Sequence, residues 1–205
     1  TWRFFLGTLP LPLSSWPNHA ADAAAEYAKL RDEHCPDPSQ VADGPEADLS
    51  INNPLSQHSA SPWQNFFEDS ELRAEIVKDL ERLHPGDPFF EQPTVREQML
   101  RVLFIWSRLN PQVSYRQGMH ELLAPLVYLT WADATEAEEA AEELSSEPIT
   151  TMGMAAEGGG GTSTAEVIRS VLRCSDVEAA SFQAFTGLMR PMGSWFTVSS
   201  MRPAG

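Results

Sequence analysis

Apolar residues recur at three- and four-residue steps along much of this chain, and that spacing restricts what it can fold into. Val95, Met99, Val102, Trp106 and Leu109 form one such stripe, and Leu72, Ile76, Leu80 and Leu83 form another. Each stripe places its large side chains on a single helical face that has to be buried. No stretch alternates apolar and polar residues as a half-buried strand does, and no internal repeat is present. The expected fold is therefore all-α. Helix stops are equally clear: His84-Pro85-Gly86-Asp87-Pro88 ends one stripe and Asn110-Pro111 ends the other, because proline lacks the amide proton a helix interior needs.

The remaining segments read in order around those two. Arg3 to Leu9 is a short helix or turn stopped by Pro10 and Pro12, and Asn18 is placed to cap a helix from Ala20 to Glu33. Residues 35–61 turn to Pro, Asp, Ser, Gly and Asn without periodicity, so they form a long internal loop. Ser61 with Pro62 opens a helix whose Trp63, Phe66 and Phe67 are expected in a core. Thr94, with Glu97 three residues on, reads as the capping box of the Val95 helix. Met119 to Trp131 is apolar nearly all round and is expected to be the most buried helix, kinked near Glu121 by Pro125. The acidic, alanine-rich run Glu136 to Glu147 and the glycines at 158–161 make residues 133–162 an expected flexible insertion. Two further helices are announced by Ser163 with Glu166 and by Ser175 with Glu178.

Composition narrows the function classes. With 205 residues, 42 % of them hydrophobic, one substantial core is the default. A formal net charge of -15 disfavours nucleic acid and anionic membrane surfaces as partners. The two cysteines, Cys35 and Cys174, lie far apart and suit free thiols in a reducing compartment. Five histidines show no metal-ligand spacing, so no metal is expected. No apolar run is long enough to cross a bilayer, and the Trp2 to Leu13 region, with prolines and no basic start, does not read as a signal peptide.

Three polar positions stand out. Asp79 and Arg82 are three residues apart at the end of the Leu72 helix, so the carboxylate is expected to hold the guanidinium by an i, i+3 contact. Gln117 precedes a helix and is followed by Gly118, which allows a close approach from outside. Plainer readings exist: an arginine at a helix end complements the macrodipole, and a glutamine before a helix can be a solvated or capping group.

Motif order separates these readings. Ile76-x-x-Asp79-x-x-Arg82 followed by Tyr115-x-Gln117-Gly118-Met119 resembles the paired signature of TBC-domain proteins, the GTPase-activating proteins of Rab GTPases. Trp2 to Pro10 resembles the opening helix of that domain. Ile51-Asn52-Asn53-Pro54-Leu55-Ser56-Gln57 and Trp63-Gln64-Asn65-Phe66-Phe67 resemble the subfamily associated with retromer and late-endosomal traffic, and His120 to Pro125 continues the pattern.

The resemblance implies a helical TBC fold over residues 1–205, as a single domain or its N-terminal part carrying both catalytic fingers. Arg82 matches the arginine finger and Gln117 the glutamine finger, with Asp79, Tyr115, Gly118 and Met119 in support. It implies a partner, a GTP-bound Rab, and possible contact with a retromer-like sorting coat. It further implies no cofactor of the chain's own, GTP and magnesium being bound by the Rab, with hydrolysis occurring on that partner. A cytoplasmic protein recruited peripherally to endomembranes is the expected setting. The alternative is a scaffold module that binds a Rab or coat without stimulating hydrolysis. Leu80, Leu83 and His84 depart from the valine, threonine and phenylalanine that many family members carry there, and the family's domain normally extends beyond residue 205.

Overall fold

A computed structural model describes residues 2–9, 12–35, 62–146, 168, 171–172 and 176–196. Among these, all regular structure is helical: α1 Trp2–Phe5, a 3-10 turn Leu13–Ser15, α2 Trp16–His34, α3 Pro62–Leu80, α4 Pro93–Leu109, α5 Met119–Ser146 and α6 Val177–Phe196. The chain divides into two compact units, Thr1–Tyr27 with Pro125–Leu188, and Ala28–Ala124 with Met189–Gly205.

The second unit holds both sequence motifs. Its α3 packs on α4, and α4 buries six successive residues, Val102 to Ser107. Ile76, Leu80 and Leu83 are buried as their spacing requires. Ile76 is fully sealed from solvent, a placement worth about 1.5–3 kcal/mol over exposure. Arg73 lies over the Phe104 ring at 3.7 Å and donates to the His34 carbonyl at 3.3 Å, and Arg108 pairs with Asp69 at 3.3 Å. These contacts fix α3 along α4 and tie both to the end of α2. The helix opening at Pro62 is as expected, but Phe66 and Phe67 are exposed, because they precede the stretch of α3 that carries the apolar stripe.

The first unit is built on Leu9, Trp16 and Val171, with Ala20 and Ile168 against them. Arg3 is buried beside Asp133 at 3.3 Å, and burial, only partly opposed by that carboxylate, lowers its guanidinium below the usual value. Tyr27 donates to Glu178 Oε1 at 2.6 Å and packs on Phe182 with ring centroids 4.9 Å apart. Gly187 is required by a close approach: a Cβ there would run into the Leu6 carbonyl.

Several expectations change. Helix α2 starts at Trp16, ahead of Asn18. The N-cap of α4 is Gln92, which makes no side-chain cap, and Pro93 rather than a Thr94 box starts the helix. Proline at the first helical position needs no amide partner, so a cap there adds less. Helix α5 continues through Pro125 and through residues 133–146. The acidic run is therefore helical through Ser146, as alanine and glutamate favour, while 147–162 lie outside the described residues. Nor is α5 the most buried helix, since Tyr128, Leu129 and Trp131 are exposed; α4 is. At the start of α6, Asp176 Oδ1 accepts from the Glu178 amide at 2.9 Å, and the Glu178 carboxylate accepts from the Tyr27 hydroxyl. Ser163, Glu166, Cys174, Ser175 and residues 36–61 lie outside the described residues.

Candidate functional site

Helix α3 tightens as it ends. The Arg82 amide donates to the Asp79 carbonyl at 3.1 Å and the Leu83 amide to the Leu80 carbonyl at 3.2 Å. The proline-rich turn beyond is closed by its own polar groups. Gly86, at φ +87, donates its amide to Glu91 Oε1 at 3.0 Å, and the Phe89 amide donates to Asp87 Oδ1 at 2.9 Å. Leu83, Phe89 and Phe90 anchor the turn in the core, and the His84 ring rests on Phe90 at 5.0 Å despite a φ of +42. Arg82 projects, exposed, from this fixed platform.

The second segment leaves α4 through Asn110, whose side-chain amide donates to the Trp106 carbonyl at 2.8 Å. Ser114 takes φ +55 and Gly118 φ +97. A Cβ on Gly118 would meet nothing within 4 Å. Backbone conformation therefore explains glycine there, and the space beside it is open. The Arg116 amide donates to Met119 Sδ at 3.3 Å and the Met119 amide returns to the Arg116 carbonyl at 3.1 Å. With Met119 fully buried, Gln117 is left exposed at the apex of a short closed loop.

Asp79, Arg82, Gln117, Gly118, His120 and Glu121 line one cleft. Two segments separated in sequence by all of α4 thus present an arginine and a glutamine to the same space. Among the described residues, neither Arg82 nor Gln117 has a side-chain hydrogen bond or ion pair. Asp79 does not hold Arg82 as its spacing suggested. Its carboxylate is buried and accepts from the Tyr115 hydroxyl at 2.8 Å, because Tyr115 reaches it inside the core while Arg82 points to solvent. Tyr115 is also 2.9 Å from His120 Nδ1. Burial first, and then the Asp79 hydrogen bond, push the Tyr115 hydroxyl well above the usual tyrosine value, so it keeps its proton.

The arrangement offers a permanently charged, planar guanidinium and an amide with both donor and acceptor, each on a rigid base. That pair suits a phosphoryl group and a water positioned together. No group of three or more His, Cys, Asp or Glu side chains placed to hold a metal occurs among the described residues, and no helix among them is long and apolar enough to cross a membrane. His120, which in the sequence only continues the motif pattern beside Gln117, also lines this cleft.

Comparison with known proteins gives the same pattern. The family model for the Rab-GTPase-TBC domain matches residues 52–202. TBC1 domain family member 5 of Homo sapiens is 35 % identical over 196 residues, covering 96 % of this chain and 22 % of that protein. TBC1 domain family member 5 homolog B of Dictyostelium discoideum is 43 % identical over 129 residues, 62 % of this chain and 12 % of its own. TBC1 domain family member 13 of Homo sapiens is 25 % identical over 200 residues, covering 62 % of this chain and 49 % of that protein. The chain thus spans about a fifth of the length of the human member 5 relative. No solved structure matches significantly. With a family match across most of its length, a signature pair intact and an all-helical fold, this chain belongs to the Rab-GTPase-TBC domain family.

Proposed function

We propose that this chain carries the catalytic face of a GTPase activator that acts in trans on a GTP-bound Rab in vesicle traffic. The observation supporting it is the shared cleft in which Arg82 and Gln117 stand exposed without partners among the described residues. The Arg82 guanidinium offers forked donors to the charge that spreads over a transferring phosphoryl group, and such a finger is worth about 10³–10⁵ in rate. Gln117 accepts a hydrogen bond from the attacking water through its amide oxygen and orients it in line. Asp79, Tyr115, Gly118 and Met119 shape the two segments. Magnesium and the nucleotide belong to the Rab, so the chain needs no cofactor, and hydrolysis is completed on the partner. Association with a retromer-like coat at endomembranes belongs to the same reading.

The test is GTP hydrolysis by a panel of GTP-loaded Rabs with and without this chain, alongside a binding assay on the same samples. Stimulation of one or more Rabs is expected. Binding at full occupancy with an unchanged hydrolysis rate would leave the non-catalytic scaffold instead.

A further inference from the structure

His120 sits against the site without touching either finger, and its surroundings define a hydrogen-bond chain. A carboxylate has only acceptors, so the Tyr115 hydroxyl must spend its single proton on Asp79 Oδ2, 2.8 Å away. The Tyr115 oxygen can then only accept from His120 Nδ1, 2.9 Å away. His120 therefore carries a proton on Nδ1, a requirement that an imidazolium also meets. Its Nε2 faces the exposed Glu121 at 4.0 Å and Nδ1 lies 3.7 Å from Asp79.

The two ends of this chain matter mechanically. Tyr115 and His120 flank Gln117 and Gly118 in sequence, so their contact staples the glutamine loop across its base. Asp79, at the other end, accepts the Arg82 amide through its own backbone carbonyl at 3.1 Å. One continuous path, His120 to Tyr115 to Asp79, thus joins the base of the glutamine loop to the residue that seats the arginine. All three side chains are buried, so water does not readily replace a lost member. Ser114 and Gly118, both at positive φ, bound a loop that needs such closure.

We propose that His120 is a positioning residue for the two fingers, donating from Nδ1 to lock Tyr115 onto Asp79 and so hold Gln117 in register with Arg82. This rests on the activator reading for its kinetic consequence, while its structural consequence stands alone. An asparagine can replace the donor, whereas a phenylalanine fills the space and donates nothing.

The experiment compares His120→Asn and His120→Phe with the unmodified chain in two readouts. Hydrogen exchange at the Arg116 and Met119 amides is expected to accelerate about ten-fold or more in His120→Phe, with α4 amides unchanged and near-wild-type rates in His120→Asn. Stimulated hydrolysis of a responding Rab should lose about ten- to a hundred-fold in kcat in His120→Phe with little change in KM, and His120→Asn should restore most of it. Unchanged loop exchange in a folded His120→Phe overturns the proposal. So does an α4 acceleration matching that of the loop, which would mark a general packing role. If no Rab responds to the unmodified chain, the activator reading fails, and the exchange result still decides on His120.

Discussion

Two buried tyrosines in this molecule each donate to a carboxylate, and the difference between them separates scaffold from site. Tyr27 bonds Glu178 at 2.6 Å with Phe182 against its ring, a sealed contact between two helices of the first unit. Tyr115 bonds Asp79 at 2.8 Å in the second unit, but its pair borders a cleft and passes the contact on to His120. The chemistry is the same. What differs is whether exposed side chains without partners stand at its edge.

Removing each hydroxyl breaks or sharpens that contrast. Tyr115→Phe should lower stimulated turnover about ten- to a hundred-fold, since a finger displaced by even an ångström loses alignment, while Tyr27→Phe should leave turnover within about two-fold. Tyr27→Phe should instead cost about 1–3 kcal/mol of stability in denaturant titration, as a buried carboxylate loses a hydrogen bond. Equal turnover losses in both would erase the distinction.

Two glycines carry the comparison further. Gly187→Ala drives a Cβ into the Leu6 backbone, and its expected cost is about 1–3 kcal/mol of stability, read from the melting temperature. Gly118→Ala meets open space but keeps a φ of +97. Its strain, about 1–2 kcal/mol, should appear as lost turnover as much as lost stability. Placing the larger turnover loss at Gly187 would contradict the assignment of the site to the second unit.

The smallest effect is alkaline. Because the Tyr115 hydroxyl is raised in the folded state, its contribution is fully present below the unfolded tyrosine value of about 10. It is lost as pH climbs from there toward the folded value. Stability measured between about pH 9 and 11 should therefore fall more steeply in the unmodified chain than in Tyr115→Phe.

Much of this was legible in the sequence, and the parts that were not have physical causes. Val95 to Leu109 and Leu72 to Leu83 declared their helices because a 3.6-residue period is a local property. Motif order singled out Arg82 and Gln117, and both line one cleft. Asp79 was misassigned to Arg82 because spacing along one helix says nothing of a buried tyrosine arriving from another segment. The Met119 to Trp131 helix read as the most buried because an apolar run does not reveal which of its faces is exposed, here the one with Tyr128, Leu129 and Trp131. The Tyr27 hydroxyl reaches Glu178 from far earlier in the chain, a contact no local pattern announces. Tertiary pairing decided each of these.

The most direct test of the central claim is single-turnover GTP hydrolysis by a responding Rab with the unmodified chain, Arg82→Ala, Gln117→Ala and the double variant. A loss of about a thousand-fold or more is expected for Arg82→Ala and of about a hundred-fold for Gln117→Ala. Because the two act on one transition state, the double variant should lose little beyond the arginine variant alone. Folded Arg82→Ala and Gln117→Ala proteins that stimulate the Rab as well as the unmodified chain would contradict it.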